Sequence, residues 1–321
     1  MKELSYILKI EMIDEVKKYF EKQLEKKLML KKVQCPLFVR SESGLQDYLS
    51  GVEKSVSFKI DDLEFEIVHS LAKWKREALA LYQVPLYHGI YTDMKAIRTH
   101  ETVDCTHSYL VEQWDWEMVI SKSDRTIKFL KYIVRKIYSS LMQTLKYIKT
   151  KYPFITLSLP ASIYFITSQE LEDMYKDKTP KQREEIITKK MGAVFIIGIG
   201  DKLKSGMVHD LRSPDYDDWS LDGDLLVYDE VLGKSIELSS MGIRVDEKSL
   251  VSQLLKSSHM ERLKQPYHKH LKEGKLPYTI GGGIGISRVL MLLLKQPHIA
   301  LVQPSQWDYK TLEELKNMKI M

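Results

Sequence analysis

Cysteine is scarce in this chain and long apolar runs are missing. These two features argue against a disulfide-rich protein and against a membrane-spanning one. Cys35 and Cys105 are the only cysteines among 321 residues, too few and too far apart for a disulfide framework or a cysteine-bound metal. A reducing cytoplasm is therefore the expected location. No run of 18 apolar residues occurs, and the first residues lack the apolar segment of a signal peptide. We expect no membrane partner.

The two best-known glycine-rich phosphate motifs are also missing. Counted from Gly283, the third glycine of G-x-G-x-x-G would fall at Arg288, which excludes a dinucleotide fingerprint. No Gly-Lys-Ser/Thr follows a glycine run, which excludes a P-loop. Glycine and proline mark turns rather than a long linker, and no internal repeat is present. We therefore expect a single domain over residues 1–321.

Charge of one sign is not concentrated anywhere. The chain has 49 Lys and Arg against 44 Asp and Glu, a formal net charge of +5. Such an excess can indicate nucleic-acid binding, but here acidic and basic residues are interleaved, and repeats that combine aromatic and basic residues are missing. We expect solvated helical faces and no nucleic-acid partner.

Hydrophobic periodicity predicts an α+β fold in which helices flank an antiparallel sheet. Helical spacing predicts helices over residues 3–30, 69–82, 124–150, 246–273 and 285–295, with a last one from about 305. Ser70 is expected to cap the second of these helices. Alternating or continuous apolar runs predict strands over residues 33–39, 56–60, 65–68, 93–98, 107–116, 162–167, 193–199, 224–230, 235–243 and 299–302.

The most informative stretch is residues 279–295, where a glycine run opens an apolar helix. Glycines let a backbone approach a flat ligand closely, and a helix N-terminus favours negative charge. Arg288, in the first turn, could stack on a purine or pair with a phosphate. The alternative is an ordinary glycine turn before a buried helix.

Residues 112–117 alternate polar and aromatic side chains. In a strand, Gln113, Asp115 and Glu117 share one face, and Trp114 and Trp116 share the other. A carboxylate beside an amide suits an amino-acid ligand, because the carboxylate can bind an ammonium group and the amide an oxygen. An amphipathic edge strand with its polar face in water is the alternative.

Three further segments contain charged residues that could bind a substrate or a metal ion. Lys75, in the basic segment 69–76, could hold a substrate carboxylate or face solvent. The aspartates of segment 215–224 could bind Mg²⁺ or a cationic group of a substrate, or they could form turns. Glu237 and Ser239 share one face of the predicted strand 235–243. Arg244 can join their site only if the strand bulges, and Gly242 is the expected place.

Taken together, these segments resemble a known family. Segments 30–38, 94–101 (with His107 after it) and 281–288 resemble, in order, the three signature motifs of class II aminoacyl-tRNA synthetases. A closer resemblance, to ammonia-dependent asparagine synthetases (aspartate–ammonia ligases), covers nearly the whole chain. The segments that carry it are the glycine run and residues 46–51, 69–76, 113–116, 214–219 and 237–244.

This resemblance implies ATP-dependent synthesis of L-asparagine from L-aspartate and ammonia in a class II synthetase-like catalytic domain. In the family, the β-carboxylate of aspartate attacks the α-phosphate of ATP, and ammonia then displaces AMP from β-aspartyl-AMP. Mg²⁺ and arginines would neutralise the phosphates. The first motif builds a dimer interface in the superfamily, so a homodimer is expected.

The resemblance also implies roles for individual residues. Those that would recognise aspartate or asparagine and line its pocket are Asp47, Ser70, Lys75, Gln113, Asp115, Ser239, Ser240 and Arg244. Those that would bind the nucleotide are Arg98, Glu237, Leu238, Gly283, Gly285 and Arg288. Arg98 would hold the α-phosphate and Arg288 would cover the adenine. Asp217 would lie near the reacting centre, and Asp224 and Glu237 would serve Mg²⁺.

Two features depart from the family pattern. Relatives carry a further glycine-containing stretch between residues like Trp219 and Asp222, where Ser220 and Leu221 alone join them here. This chain either has a short junction or lacks a lid segment. Class II synthetases often place an aromatic residue against adenine where this chain has Val111.

Two other functions remain open from the sequence. An aspartyl- or asparaginyl-tRNA synthetase-like paralogue would commonly carry a separate tRNA-binding domain ahead of the core, for which this sequence has no spare segment. A non-catalytic regulator that binds an amino acid or AMP would not need the phosphate-binding arginine. Use of glutamine as nitrogen donor would need a nucleophile such as an N-terminal cysteine, and residue 2 is Lys2.

Overall fold

The computed structural model describes residues 5–49 and 53–321. The predicted helix start at residue 3 and the end of segment 46–51 lie outside these ranges. The α-helices are α1 (Tyr6–Leu28), α2 (Ala72–Leu81), α3 (Ile127–Lys151), α4 (Ser168–Met174), α5 (Pro180–Met191), α6 (Glu247–Lys256), α7 (Pro266–Lys272), α8 (Ile286–Leu294) and α9 (Tyr309–Glu314). Within the described ranges, no helix is both long enough and apolar enough to span a membrane.

The strands form one large sheet and one small sheet. The strands are β1 (Leu30–Lys32), β2 (Phe38–Arg40), β3 (Ser57–Ile60), β4 (Leu63–Ile67), β5 (Gly89–Ile97), β6 (Leu110–Val119), β7 (Tyr164–Thr167), β8 (Ala193–Ile197), β9 (Asp217–Asp229), β10 (Lys234–Arg244) and β11 (Thr279–Gly285). The eight-stranded sheet has the order β1-β5-β6-β11-β10-β9-β8-β7, and β2-β4-β3 form the small one. The large sheet is antiparallel except at its ends, where β1 pairs with β5 and β7 with β8 in parallel. The predicted α+β architecture on an antiparallel sheet is therefore confirmed.

The main core lies between the large sheet and helices α1, α3 and α8. Trp114 and Trp116 of β6 are fully buried in it, and the Phe20 ring of α1 lies 4.6 Å from the Trp114 ring. Because side chains alternate along a strand, Gln113, Asp115 and Glu117 point to the other face of the sheet. The predicted division of this segment into an aromatic face and a polar face is thus present.

The glycine run is not a loop but the strand β11, hydrogen-bonded between β6 and β10. A Cβ atom on Gly283 would lie 2.2 Å from Gln113 Oε1, and one on Gly281 would lie 2.1 Å from Glu117 Oε2. Side chains of β6 occupy the space beside β11 that a Cβ atom would fill at Gly281 or Gly283. Only glycine therefore fits at these two positions. Helix α8 begins at Ile286, so Arg288 is in its first turn as predicted.

Some predicted elements are wrong. The helix predicted over 246–273 is divided into α6, a 3₁₀ turn (Met260–Lys264) and α7, because Ser258 adopts φ +62° and Pro266 starts a new helix. The strand predicted at 299–302 is a 3₁₀ turn, Ile299–Leu301. The side chain of His298 caps its start by accepting the N–H of Ala300. The strand predicted over 33–39 falls mostly in the gap between β1 and β2.

Ser70 does not cap α2. The helix begins at Ala72 with Leu71 at the N-cap, and no side chain caps it. Ser70 Oγ instead donates to Asp47 Oδ2 at 2.7 Å. Ser70, which the sequence predicted to be a helix cap, therefore orients the carboxylate of Asp47.

The short junction between Trp219 and Asp222 lies inside a strand, because β9 runs unbroken from Asp217 to Asp229. Pairing between β9 and β10 shifts register between Gly242 and Arg244, where the sequence predicted an irregularity. The shift leaves residues 218–221 out of the ladder and places Asp217 opposite Arg244.

Candidate active site

A cavity of about 540 Å³ opens on the face of the large sheet opposite the main core. Strands β6, β10 and β11 form its floor, and the loops around residues 98–108 and 210–217 form its walls. Of the predicted site residues, only Lys75 and Asp224 do not line this cavity. Those that line it are Asp47, Ser70, Arg98, Gln113, Asp115, Asp217, Glu237, Leu238, Ser239, Ser240, Arg244, Gly283, Gly285 and Arg288.

Arg244 is the central cation of the floor and is itself only 2% exposed. Its Nε and Nη2 donate to Glu117, with Nε 3.0 Å from Oε1 and Nη2 2.7 Å from Oε2, and its Nη1 donates to Asp217. Burial opposes ionisation of Glu117, yet the guanidinium of Arg244 holds the pKa of Glu117 below its usual value. Burial raises the pKa of Asp217 against the pull of the same guanidinium.

Lys75 lies behind the cavity wall. Its side chain is completely buried, and its ammonium group donates to Asp115 and, at 3.0 Å, to the carbonyl of Trp116. Burial lowers the pKa of Lys75, while the Asp115 carboxylate acts in the opposite direction. The solvent-facing alternative for this basic segment is wrong, because Lys73, Lys75 and Arg76 are all buried. In this geometry Lys75 orients Asp115 and does not reach the cavity.

The Asp47 carboxylate is held at the cavity wall by defined donors. Ser70 Oγ donates to Oδ2, and the Leu49 N–H donates to Oδ1 at 2.8 Å. Gln46 Oε1 accepts the N–H groups of Asp47 and His69, each at 3.0 Å. These bonds join the two predicted segments, 46–49 and 69–70, at one point of the wall.

Two further arginines, Arg98 and Arg288, line the cavity. Arg288 is fixed by two carbonyl oxygens, because Nη1 donates to Glu237 O at 3.1 Å and Nε donates to Thr106 O at 3.3 Å. Arg98 lies 3.9 Å from Glu101, and within the described ranges its Nε is buried without a hydrogen-bond partner. Val111 lines the cavity where class II synthetases often have an aromatic residue.

The proposed Mg²⁺ residues differ in exposure. Glu237 lines the cavity, whereas Asp224 lies behind Arg212, which donates to its Oδ2. In the described part of the chain, Asp224 Oδ1 is buried without a partner, and burial raises the pKa of Asp224 to about 7. No group of three His, Cys, Asp or Glu there could hold a metal alone. The two carboxylates fit an ion that keeps water and phosphate oxygens as ligands, as Mg²⁺ usually does.

Sequence reasoning missed Arg212, which lines the cavity between two carboxylates. Its Nη1 donates to Asp210 Oδ2 at 3.0 Å, and its Nη2 donates to Asp224. The loop that carries it is anchored by the buried pair of His209 Nε2 and Glu184, at 3.0 Å. A single arginine inside the acidic segment 210–218 was the available signal. Other lining residues that were missed are Glu53, Glu101, Thr106, Ser108, Glu112, Asp210, Ser213, Tyr216, Ser287 and Gln303.

Comparison with known proteins identifies the family. A family model described as AsnA, aspartate–ammonia ligase, matches residues 8–319. An aspartate–ammonia ligase of Clostridium perfringens is 54% identical over 308 residues, which cover 94% of this chain and 92% of that protein. One from Fusobacterium nucleatum is 53% identical over 309 residues, which cover 96% of this chain and 94% of that protein.

Solved structures give the fold. The asparaginyl-tRNA synthetase of Pyrococcus horikoshii, complexed with asparaginyl-adenylate, aligns with a TM-score of 0.68 at 14% identity, over 92% of this chain and 67% of that chain. The aspartyl-tRNA synthetase of Entamoeba histolytica aligns with a TM-score of 0.61 at 17% identity, over 92% of this chain and 57% of that chain. The family and the fold predicted from sequence are both confirmed. The chain belongs to the aspartate–ammonia ligase family and is built on the class II aminoacyl-tRNA synthetase fold.

Proposed function

We propose that the protein makes L-asparagine from L-aspartate, ammonia and ATP through a β-aspartyl-AMP intermediate. Family membership supports the overall reaction. The observation that supports the adenylate route is Arg98, a cavity-lining cation whose buried Nε has no partner among the described residues. A buried donor of this kind is costly unless a ligand accepts from it, and an α-phosphate oxygen would do so.

The charges of the cavity suit both aspartate and ATP. Asp47 and Asp115 supply carboxylates for the ammonium group of aspartate, and Arg244 supplies a cation for its α-carboxylate. The β-carboxylate is then the end directed toward Arg98 and Arg288. Held in this way, a β-carboxylate oxygen attacks the α-phosphorus of ATP and pyrophosphate leaves. The nitrogen lone pair of ammonia next attacks the β-carbonyl carbon, the C–O bond to AMP breaks, and the nitrogen loses one proton to solvent as asparagine forms.

Asp224 and Glu237 would hold Mg²⁺ together with the phosphates. When bound, the ion would supply positive charge to a crowded polyphosphate. Asp224 is suited to this role by a buried oxygen that has no partner among the residues the structure describes, and Arg212 fixes the other oxygen. Gly283 and Leu238 would leave the floor flat beneath the nucleotide, and Arg288 would lie over the adenine.

Ammonium, not glutamine, should be the nitrogen donor, and AMP should be the nucleotide product. Both cysteines are half-buried, and burial raises the pKa of Cys35, so Cys35 is poorly suited to act as a glutaminase thiolate. We expect one AMP and one pyrophosphate per asparagine when aspartate, ATP, Mg²⁺ and ammonium are combined. Chromatography that resolves AMP from ADP, with glutamine in place of ammonium as the comparison, measures this. Efficient use of glutamine, or ADP formed in step with asparagine, would contradict the proposal.

We further propose a homodimer whose interface includes segment 30–38. Strand β1 is the outermost strand of its sheet, and Leu37 nearby is 53% exposed. Light scattering should therefore give twice the chain mass of 37.5 kDa. Leu37→Glu should shift the protein toward the monomer. Leu255→Glu, at a similarly exposed leucine elsewhere, should leave the dimer intact. A wild-type monomer at micromolar concentration would show the interface prediction to be wrong.

A further inference from the structure

Every guanidinium nitrogen of Arg244 already donates to a carboxylate. Glu117 accepts from Nε and Nη2 on one edge, and Asp217 accepts from Nη1 on the other. These bonds use three of its five N–H groups, so a substrate carboxylate that approaches along the Nη1 edge meets Asp217, and one that approaches along the Nε edge meets Glu117.

The two partners are not equivalent. Glu117 has no exposed side-chain surface and lies within 3.8 Å of Lys75, so a second buried cation also holds it. Asp217 lines the cavity and has no lysine partner among the described residues. Gly242 leaves the space in which the Asp217 carboxylate lies, because a Cβ atom there would be 2.7 Å from Oδ1. Asp217 is thus the exchangeable partner, on the side from which a substrate arrives.

The charge balance of the ion-pair network around Arg244 points the same way. This network joins two cations, Lys75 and Arg244, to three carboxylates, Asp115, Glu117 and Asp217. In their usual ionised forms these sum to −1, that is, 2 − 3. A further carboxylate added to this cluster would be repelled at short range in a poorly screened site. Exchange of one carboxylate for another keeps the number of carboxylates paired with Arg244 at two.

The exchange requires little movement of the main chain. The carbonyl oxygen of Asp217 accepts from Gln253 Nε2 at 2.8 Å, and Gln253 is itself buried, so the backbone at this point is held. Rotation of the Asp217 side chain is enough to free Nη1 of Arg244.

We infer that Asp217 occupies, in the substrate-free enzyme, the position at Arg244 that the α-carboxylate of the substrate takes on binding. This inference rests on the proposed function, in which the β-carboxylate reacts and the α-carboxylate is the one held. It gives Asp217 a specificity role: a ligand must carry a carboxylate at the α position to displace it.

Calorimetry without ATP tests the inference with three ligands: L-aspartate, L-asparagine and L-isoasparagine. Asparagine and isoasparagine have equal net charge and differ in which carboxylate is free. Asp217→Asn and Asp217→Ala should tighten binding of aspartate and asparagine by on the order of tenfold, because a larger fraction of the enzyme has Arg244 available. Binding of isoasparagine should stay within about twofold of wild type. Gly242→Ala, which crowds Asp217 without removing its charge, should shift the affinities in the same direction.

Glu112→Gln is the matched control for charge alone. Glu112 also lines the cavity, 3.6 Å from Lys95, and is not in the Arg244 cluster. Equal tightening in this control, or equal tightening for isoasparagine, would overturn the inference. So would unchanged or weaker aspartate binding in folded Asp217→Asn and Asp217→Ala. If neither wild type nor any variant binds aspartate or asparagine, the proposed function itself fails.

Discussion

Replacement of Arg98 by alanine should slow adenylate formation by on the order of 10²–10³-fold. Negative charge builds on the α-phosphate as the β-carboxylate attacks, and a preorganised cation at that point lowers the barrier. Arg98 is suited to this role by its place in the cavity and by its buried Nε, which lacks a partner among the described residues. Aspartate-dependent exchange of pyrophosphate into ATP measures the step directly.

Lys95 provides the control for this experiment. It lies in β5, the strand that ends just before Arg98, but its side chain is 61% exposed and pairs only loosely with Glu112, at 3.6 Å. Lys95→Ala should exchange pyrophosphate at close to the wild-type rate. If a folded Arg98→Ala protein does the same, Arg98 does not hold the α-phosphate.

Replacement of Lys75 by methionine should lower the free energy of unfolding by about 3–5 kcal/mol, because it leaves a buried carboxylate without its cation. Asp115 has almost no exposed surface, and burial already raises its pKa. The midpoint of urea unfolding measures the loss of stability. Lys75 orients Asp115 and not the nucleotide residues. Calorimetry on the folded fraction should therefore show a much larger loss of affinity, relative to wild type, for aspartate than for ATP.

The double variant Lys75→Met, Asp115→Asn should recover much of the lost stability, since it removes the uncompensated charge. Lys18→Met is the matched control, because Lys18 pairs with Asp14 on the surface, where both side chains are more than half exposed. Its urea-unfolding midpoint should stay close to that of the wild type. A Lys75→Met protein as stable as this control would show that the buried pair contributes little.

Local patterns in the sequence predicted much of the fold. The alternation over residues 112–117 correctly predicted which side chains face the core, because a strand has a period of two residues whatever surrounds it. The division of residues 246–273 could not be predicted from periodicity alone. Apolar spacing continues across the break, which depends on the left-handed backbone of Ser258.

The residues of the cavity were easier to predict than their contacts. Arg244, Asp217 and Asp47 were expected in one site, and the structure places all three at the same cavity. The burial of Lys75 behind Asp115 could not be foreseen, since lysine on an isolated helix favours solvent. The position of Arg212 could not be predicted either, because its loop is held by contacts between residues far apart in the sequence, such as that of His209 with Glu184.

The bare backbone of β11 has a consequence for how this active site can change. A methyl group at Gly281, Gly282 or Gly283 would collide with the side chain or backbone of a neighbouring strand, at 2.1 to 2.4 Å. At Gly285 the nearest atom would be 3.7 Å away. Strand β11 thus cannot accept side chains at these three positions, and a new amino-acid preference would have to be engineered in the side chains of the neighbouring strands or of the surrounding loops.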